Sequence, residues 1–346
     1  MINTARIKES KKISGKTRLK MDKYKFAKVS KRVLVSIFRY TLIVCLSYMI
    51  LYPMLRMIVT AIGHPHTIGT VGAIWVPPII SLDNFRVAWA IIDFVPHLIF
   101  TITRVAFIVI LQMLNAALAG YAFARLRFRG SGILFVLVLL TIVVPTQVLM
   151  LPQFVLFRNF DILGIFTLIT GEPLNLLGQP TAMYLMALLG QGIAGGIFIY
   201  IFRQFFRGLP KELEEAAYVD GAGVLRTFFV IVLPLAKPSF LTVGTLSFIW
   251  NYNDSFFPSL FHPTGQWISG RISALVAPSG GTSTIQLAID IARARIPFDT
   301  IVLESPAYDA AIFTVATLLA ILPLVLLFLP IQKHFVQGVE RSGITG

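Results

Sequence analysis

Six long apolar segments dominate the chain, and shorter polar stretches separate them. Their approximate limits are residues 39–62, 97–123, 133–151, 181–202, 228–250 and 308–329. A hydrocarbon core of about 30 Å takes about 20 helical residues, so each segment is long enough to cross a bilayer. Because lipid offers no hydrogen-bond partners to the backbone, each crossing has to be helical. The pattern predicts an all-α, polytopic membrane protein with six transmembrane helices, three of them kinked at Pro53, Pro145 and Pro323.

Composition supports a membrane environment. Of the 346 residues, 56% are hydrophobic and only 13% are charged, about half the charged share of a soluble domain. The single cysteine, Cys45, lies inside an apolar segment. The chain therefore has no internal disulfide and no cysteine metal site, and we expect no bound metal.

The positive charge is concentrated at the amino terminus. The formal net charge is +14, and 12 of the 30 Lys and Arg residues lie between Arg6 and Arg32. A basic balance can serve nucleic acid or can anchor a membrane protein at its cytoplasmic face. This distribution favours the second, with no nucleic-acid partner. Residues 1–32 are predicted to form a mobile, solvated cytoplasmic tail that fixes orientation and contacts anionic membrane lipid.

The remaining basic residues set the predicted sidedness. Arg125, Arg203 and Lys333 lie on the same side as the basic tail, whereas acidic residues balance the few basic ones in the opposite loops. Cytoplasmic loops carry the excess of Lys and Arg. Both termini, and the loop at about 204–227, are therefore predicted to be cytoplasmic.

The cytoplasmic loop at about 204–227 has the pattern of a short surface helix. Pro210 suits a helix start, and three acids follow where the helix dipole favours them. These acids are Glu212, Glu214 and Glu215. Lipid-surface helices usually carry Lys and Arg instead, so the acidic helix is predicted to meet a soluble protein.

The end of this loop helix combines small residues with a turn signal. Ala216 and Ala217 keep one face thin enough for close docking, and Asp220-Gly221 is typical of a helix end followed by a turn. A membrane protein gains little from such a helix unless a partner receives it.

These residues carry a resemblance to a known family. The spacing is that of the EAA signature: Glu215-Ala216-Ala217, three residues, Gly221, nine residues, Ile231, one residue, then Leu233-Pro234. The signature belongs to permease subunits of ABC importers, and the stretch 209–240 resembles the sugar-transporting, maltose-type branch. Segments 119–130, 144–152, 250–254 and 335–346 also resemble family motifs in the same order. The resemblance covers residues 33–346, which we take as one permease domain.

The resemblance implies a fold, partners and residue roles. It implies a type I ABC importer permease fold in a bacterial plasma (inner) membrane, and a sugar or oligosaccharide as solute. A homologous second permease subunit, two ATPase subunits and an extracytoplasmic solute-binding protein are the implied partners. ATP and Mg are bound in the ATPase subunits, so this chain binds no cofactor and is no enzyme. Coupling to the ATPase is assigned to Glu215, Ala216, Ala217, Asp220, Gly221 and Pro234.

Polar residues in or beside the spans suggest a path for the solute. The candidates are Gln112, Asn115, Gln147, Trp250, Asn251 and Asn253. Polar side chains within spans also join helices to one another, which is the competing interpretation. The outer segment at about 255–307 is expanded relative to the family, and its counterpart faces the binding protein in related permeases.

Two other functional classes are open. An ion-gradient-driven transporter or channel commonly places acids or His at mid-membrane, and the predicted spans have no Asp, Glu or His near their middle. A membrane scaffold without a transport role would lack polar residues inside its spans. Both alternatives are disfavoured by these residues.

Overall fold

The computed structural model describes residues 2–68, 75–275 and 306–343 and is almost entirely helical. Over those ranges β-structure is limited to two isolated antiparallel bridges, Gly63 with Ile80 and Phe160 with Leu174. The all-α prediction is therefore confirmed. The glycine-rich part of the expanded outer segment, at 279–282, lies outside the described residues, as does a possible helix at 284–295.

The helices in the described part of the chain vary widely in length. In chain order they are α1 (Ile2–Ile62), α2 (Asp83–Ile91), α3 (Phe94–Arg125), α4 (Ser131–Val143), α5 (Met150–Arg158), α6 (Ile165–Thr170), α7 (Thr181–Leu188), α8 (Gly195–Gly208), α9 (Glu212–Val219), α10 (Val224–Thr227), α11 (Leu233–Leu235), α12 (Lys237–Asn253), α13 (Phe256–Phe261), α14 (Ile268–Ala274) and α15 (Pro306–Gly343). Short 3₁₀ segments occupy Pro65–Thr67 and Thr146–Leu149, and a π-helical turn occupies Phe228–Val232.

Among the described residues, three helices are long and apolar enough to cross a membrane without a break. They are Lys31–Ile62 within α1, the whole of α3, and Tyr308–Lys333 within α15. Two bent pairs also qualify if each pair counts as one span. Ser131–Val143 meets Gln147–Arg158 at 98°, and Val224–Leu235 meets Lys237–Asn253 at 76°. Length and composition thus give three to five spans, and the count of six stays a prediction.

Local backbone geometry explains why predicted spans are broken. Pro145 follows Val144, whose extended backbone (φ −71°, ψ 118°) ends α4, because a proline disfavours the helical conformation of the residue before it. The segment predicted at 181–202 is divided into α7 and α8, where Gly190 and Ala194 adopt positive φ. By contrast, the helices continue through Pro53 and Pro323.

The amino-terminal tail continues the first span as a helix. Helix α1 begins at Ile2 and runs without a break into the first span; the cytoplasmic location, mobility and lipid contact of the tail stay predictions. Lys, Arg and Met have favourable helix propensities, and Gly15 is the only glycine or proline before Pro53. A strongly polar composition does not exclude a helix that extends from a stable one, since propagation is far easier than nucleation.

Helix α3 lies at the centre of the packing. It contacts α7, α8 and α12, and two clusters of buried side chains lie along it. One cluster includes Val105 on α3 together with Tyr308 and Ile312 on α15. The other is rich in phenylalanine and includes Phe202 and Phe228. This arrangement places the loop at 204–227 beside the carboxyl end of α3.

Candidate functional site

The predicted surface helix is present as α9, between α8 and α10. Its first turn carries the acidic residues, and Leu209 ahead of it is extended (φ −73°, ψ 143°). Gly221 adopts φ +79° after the helix, a conformation that strongly favours glycine. The Gly221 and Ala222 amides donate to the carbonyls of Tyr218 and Ala217 at 3.0 and 2.9 Å. These bonds close the carboxyl end of α9 with the turn that the sequence indicates.

Helix α9 has an outer and an inner face. Glu215, Ala216 and Asp220 are exposed. Glu214 and Ala217 lie three residues apart, on one face, and are only 7% and 5% exposed. The side chain of Ala217 therefore packs within this subunit, whereas Ala216 beside it is exposed; the docking role of both stays a prediction.

The inner face is held by an ion pair that the sequence analysis did not identify. Arg125 Nε, at the end of α3, lies 2.8 Å from Glu214 Oε1, and the two side chains are 7% and 9% exposed. The Arg125 Nη2 group donates to the Leu209 carbonyl at 2.5 Å, and the Tyr121 hydroxyl donates to Glu214 Oε2 at 3.3 Å. From the sequence, Arg125 at the end of an apolar span indicated only which side of the membrane that end faces. Its partner Glu214 could not be identified from local patterns, because it lies 89 positions away along the chain.

Pro234 belongs to a different surface feature. It lies in the short helix α11, where a proline at the helix start needs no backbone N–H. With Lys237 it lines an open apolar groove of about 750 Å³ between α3, α12 and α15. The groove therefore lies along α3 and α15, which are long and apolar enough to span a membrane.

Two of the predicted path residues, Gln112 and Asn251, join a buried polar cluster. Gln112 Oε1 accepts hydrogen bonds from Asn251 Nδ2 at 3.0 Å and from the Ser247 hydroxyl. Gln112 Nε2 donates to the Ile193 carbonyl at 3.1 Å, and a side chain at Gly192 would collide with it. Gln112 is 3% exposed. The cluster links α3 to α12, and Ser247 is the member that the sequence analysis missed.

Three other predicted path residues face open space. Gln147, Trp250 and Asn253 line one open cavity of about 490 Å³, together with Asp254. Burial raises the pKa of the Asp254 carboxyl, against the opposing effect of hydrogen bonds from the Phe256 and Phe257 amides.

Asn115 is separate from both groups. Its amide donates to the Leu188 carbonyl at 2.7 Å and so caps the end of α7. The structure therefore divides the six candidates into a cavity lining, a buried cluster and a cap.

The architecture matches a solved transporter. The chain is similar to a protein described as "Crystal structure of a bacterial ABC transporter involved in the import of the acidic polysaccharide alginate", with a TM-score of 0.63 and 19% identity. The match covers 87% of this chain and 96% of that one. The likeness shows the fold of an ABC importer permease.

Sequence comparison gives the family. Residues 116–341 match the family described as "Binding-protein-dependent transport system inner membrane component", and the chain belongs to this family. Similar proteins include the arabinooligosaccharides transport system permease protein AraQ of Halalkalibacterium halodurans, 27% identical over 69% of this chain and 70% of the relative. The melibiose/raffinose/stachyose import permease protein MelC of Bacillus subtilis is 27% identical over 80% and 86%. The sn-glycerol-3-phosphate transport system permease protein UgpE of Yersinia pestis is 30% identical over 65% of each.

Family membership fixes the general activity. The chain is a multi-pass permease subunit of a binding-protein-dependent ABC importer, and it is not an enzyme. ATP hydrolysis belongs to separate subunits of such importers. The predicted family and its permease fold are thereby confirmed.

Proposed function

We propose that this subunit carries sugars or oligosaccharides inward across a bacterial inner membrane, with α9 as its contact to an ATPase subunit. The relatives AraQ and MelC are named for arabinooligosaccharides and for melibiose, raffinose and stachyose. The cavity beside Trp250 offers amide groups at Gln147 and Asn253. Amides donate and accept hydrogen bonds, which suits a solute covered with hydroxyl groups.

The exposed face of α9 is the observation that carries the coupling role. Glu215, Ala216 and Asp220 face outward, and Val219 is 88% exposed. Leu213, Tyr218 and Leu225, close to it in the chain, are exposed as well, and a group of exposed apolar residues suits a surface that a partner covers. The acidic charge favours a basic groove on that partner, since complementary charge orients an encounter.

The charge distribution supports the orientation in this proposal. Arg127, Arg129 and Arg207 are exposed near the ends of the helices that flank α9. Basic residues collect on the cytoplasmic side. We therefore assign α9 and both termini to the cytoplasm, where ATPase subunits have access to them, and the cavity beside Trp250 to the outer part of the pathway. A homologous second permease and an extracytoplasmic binding protein complete the proposed importer.

Co-purification tests the coupling face. The subunit is extracted from its native membrane in mild detergent, and its partners are identified by mass spectrometry. Glu215→Arg is expected to lose the ATPase subunit, because it puts a positive charge where the proposed groove is basic. Glu172→Arg makes the same change at an exposed position in a predicted outer loop and is expected to keep the ATPase.

A pair of glycine variants tests the turn after α9. Gly221→Ala places a side chain at φ +79° and is expected to cost about 1–2 kcal/mol in backbone strain, with loss of ATP hydrolysis in the complex. Gly208→Ala has an ordinary φ and open space around it, so hydrolysis should persist. A wild-type subunit that purifies without any ATPase would overturn the proposal and favour a gradient-driven transporter.

A further inference from the structure

The carboxyl end of α3 contacts α9, and the chain just ahead of it, at two positions. Arg125 bonds the chain ahead of the helix, at the Leu209 carbonyl, and forms the ion pair with Glu214 inside it. One turn earlier, Tyr121 donates to the other carboxylate oxygen of Glu214. We call Tyr121, Arg125 and Glu214 the α3 clamp. The ring of Tyr121 also packs on Phe228, at 4.8 Å between ring centroids, just beyond α10.

The energetics of such a pair favour a positioning role. Removing two charges from water costs about as much as their attraction returns, so a buried ion pair contributes little net stability. Breaking the pair is a different matter, because the remaining charge is left buried without a partner. The α3 clamp therefore penalises any displacement of α9 relative to α3 far more than it stabilises the fold.

Helix α3 extends from the clamp to the polar cluster. Gln112 lies 13 residues before Arg125, about 20 Å along a helix that rises 1.5 Å per residue. At that level Gln112 binds Ser247 and Asn251 of α12. Between the two sites, a β-carbon at Gly120 would lie 2.7 Å from Phe202 Cβ of α8, so α3 and α8 are in close contact. One continuous helix thus joins the α9 segment to the interior of the membrane domain.

We infer that Arg125 and Glu214 are positioning residues that make α9 and α3 move as one body. This inference rests on the proposed function, since it needs an ATPase subunit that displaces α9. When that subunit moves α9, the α3 clamp passes the displacement to α3. Helix α3 then shifts the cluster at Gln112 and, with it, α12. Coupling would therefore run through the non-neighbouring helix α3 and not only through α8 and α10, which are joined to α9 along the chain.

The test uses the assembled complex and a reporter in the outer cavity. Ile197 lines the cavity beside Trp250, and Ile197→Cys in a Cys45→Ser background gives one labelling site in this chain, which is separated from its partners by electrophoresis after labelling. The rate of reaction with a water-soluble maleimide is measured with and without Mg-ATP. Glu214→Gln, which keeps the side-chain shape, and Arg125→Ala are expected to reduce the ATP-dependent change by about tenfold, within the usual range of coupling between sites. The ATPase subunits should still co-purify.

Two further variants keep the test decisive. Arg127→Ala removes an exposed arginine two positions beyond the clamp, and it should leave the ATP-dependent change intact. Arg125→Lys retains the charge and should recover part of the response lost in Arg125→Ala. Gel filtration and membrane insertion are checked for every variant, so that misfolding is recognised.

Each outcome has one meaning. A full ATP-dependent change in Glu214→Gln and Arg125→Ala would overturn the α3 clamp as a transmission element. Loss of the ATPase subunits from both variants would also overturn it, because the pair would then serve only to seat α9. If the wild-type chain itself brings down no ATPase, the proposed function fails, and that result is distinguishable from either failure of the clamp.

Discussion

Helices α1 and α3 contribute spans that are nearly identical in length and hydropathy and opposite in packing. Lys31–Ile62 and Phe94–Arg125 each have 32 residues, and their most apolar 18-residue stretches have mean hydropathies of 2.0 and 2.1. In the most apolar stretch of the first, no residue is buried within the chain, whereas 33% of the corresponding stretch of α3 is buried. Hydropathy identifies a helix that belongs in lipid, but it does not identify which helix organises the domain.

Small and polar residues account for the difference. On α3, Ala116, Ala117 and Gly120 are all buried, and small residues let helices approach closely in a membrane, where lipid is as apolar as the helix surface. The span of α1 instead presents aliphatic and aromatic side chains outward, including Ile50 at 71% exposure. Lipid or another subunit must cover that surface.

One change made on both helices gives the largest expected contrast. Ile108 of α3 is 5% exposed and Ile50 of α1 is 71% exposed. Ile108→Ala should lower the free energy of unfolding by about 2–5 kcal/mol, because it leaves a cavity in packed surroundings. Ile50→Ala should change it by less than about 0.5 kcal/mol in the isolated subunit. Thermal unfolding in detergent measures both, and equal effects would break the comparison.

A glycine substitution probes the close contact of α3 with α8. A β-carbon at Gly120 would lie 2.9 Å from the backbone nitrogen of Arg203, so the helices must separate. Gly120→Val should cost about 1–3 kcal/mol through overpacking and reduce the yield of monodisperse protein in gel filtration. Gly132→Ala on α4 meets no atom within 4 Å and should be neutral or stabilising. A stable Gly120→Val variant would show that α8 can move away freely.

The smallest effect is expected from the two glutamines. Gln112→Leu removes the acceptor of Ser247 and Asn251 and should destabilise the subunit by about 1 kcal/mol, as hydrogen bonds between membrane helices are worth little individually. Gln147 is exposed in the open cavity, so Gln147→Leu should not change the unfolding temperature. Transport assays on both variants then show which glutamine lines the solute path. A Gln112→Leu variant that unfolds at the wild-type temperature would contradict the role of Gln112 in joining α3 to α12.

The loop at 204–227 shows how far local pattern extends. Acids, alanines and a glycine predicted a short helix with a turn at Gly221, and the structure has both. The same pattern did not distinguish Glu214 from Glu215, although one is buried and the other exposed. Successive residues of a helix point about 100° apart, and only the position of α3 decides which of them faces inward.

The polar residues of the spans show the same limit. Gln112 and Gln147 are the same residue type in similar apolar surroundings. One is enclosed by Ser247, Asn251 and the Ile193 carbonyl, whereas the other faces a cavity. The neighbours of Gln112 come from segments more than 80 positions away along the chain. Helix-period patterns carry no information at that range.

The sequence by itself determined the membrane environment, the helical class, the family resemblance and the acidic loop helix. These properties depend on composition and on spacing within one or two helical turns, where the backbone must satisfy its own hydrogen bonds. Only the tertiary structure decided that α3 is central, that α1 is exposed and that Arg125 meets Glu214. Those properties depend on which helix surfaces approach one another. Small residues such as Gly120, which lies against Phe202 of α8, set how closely they approach.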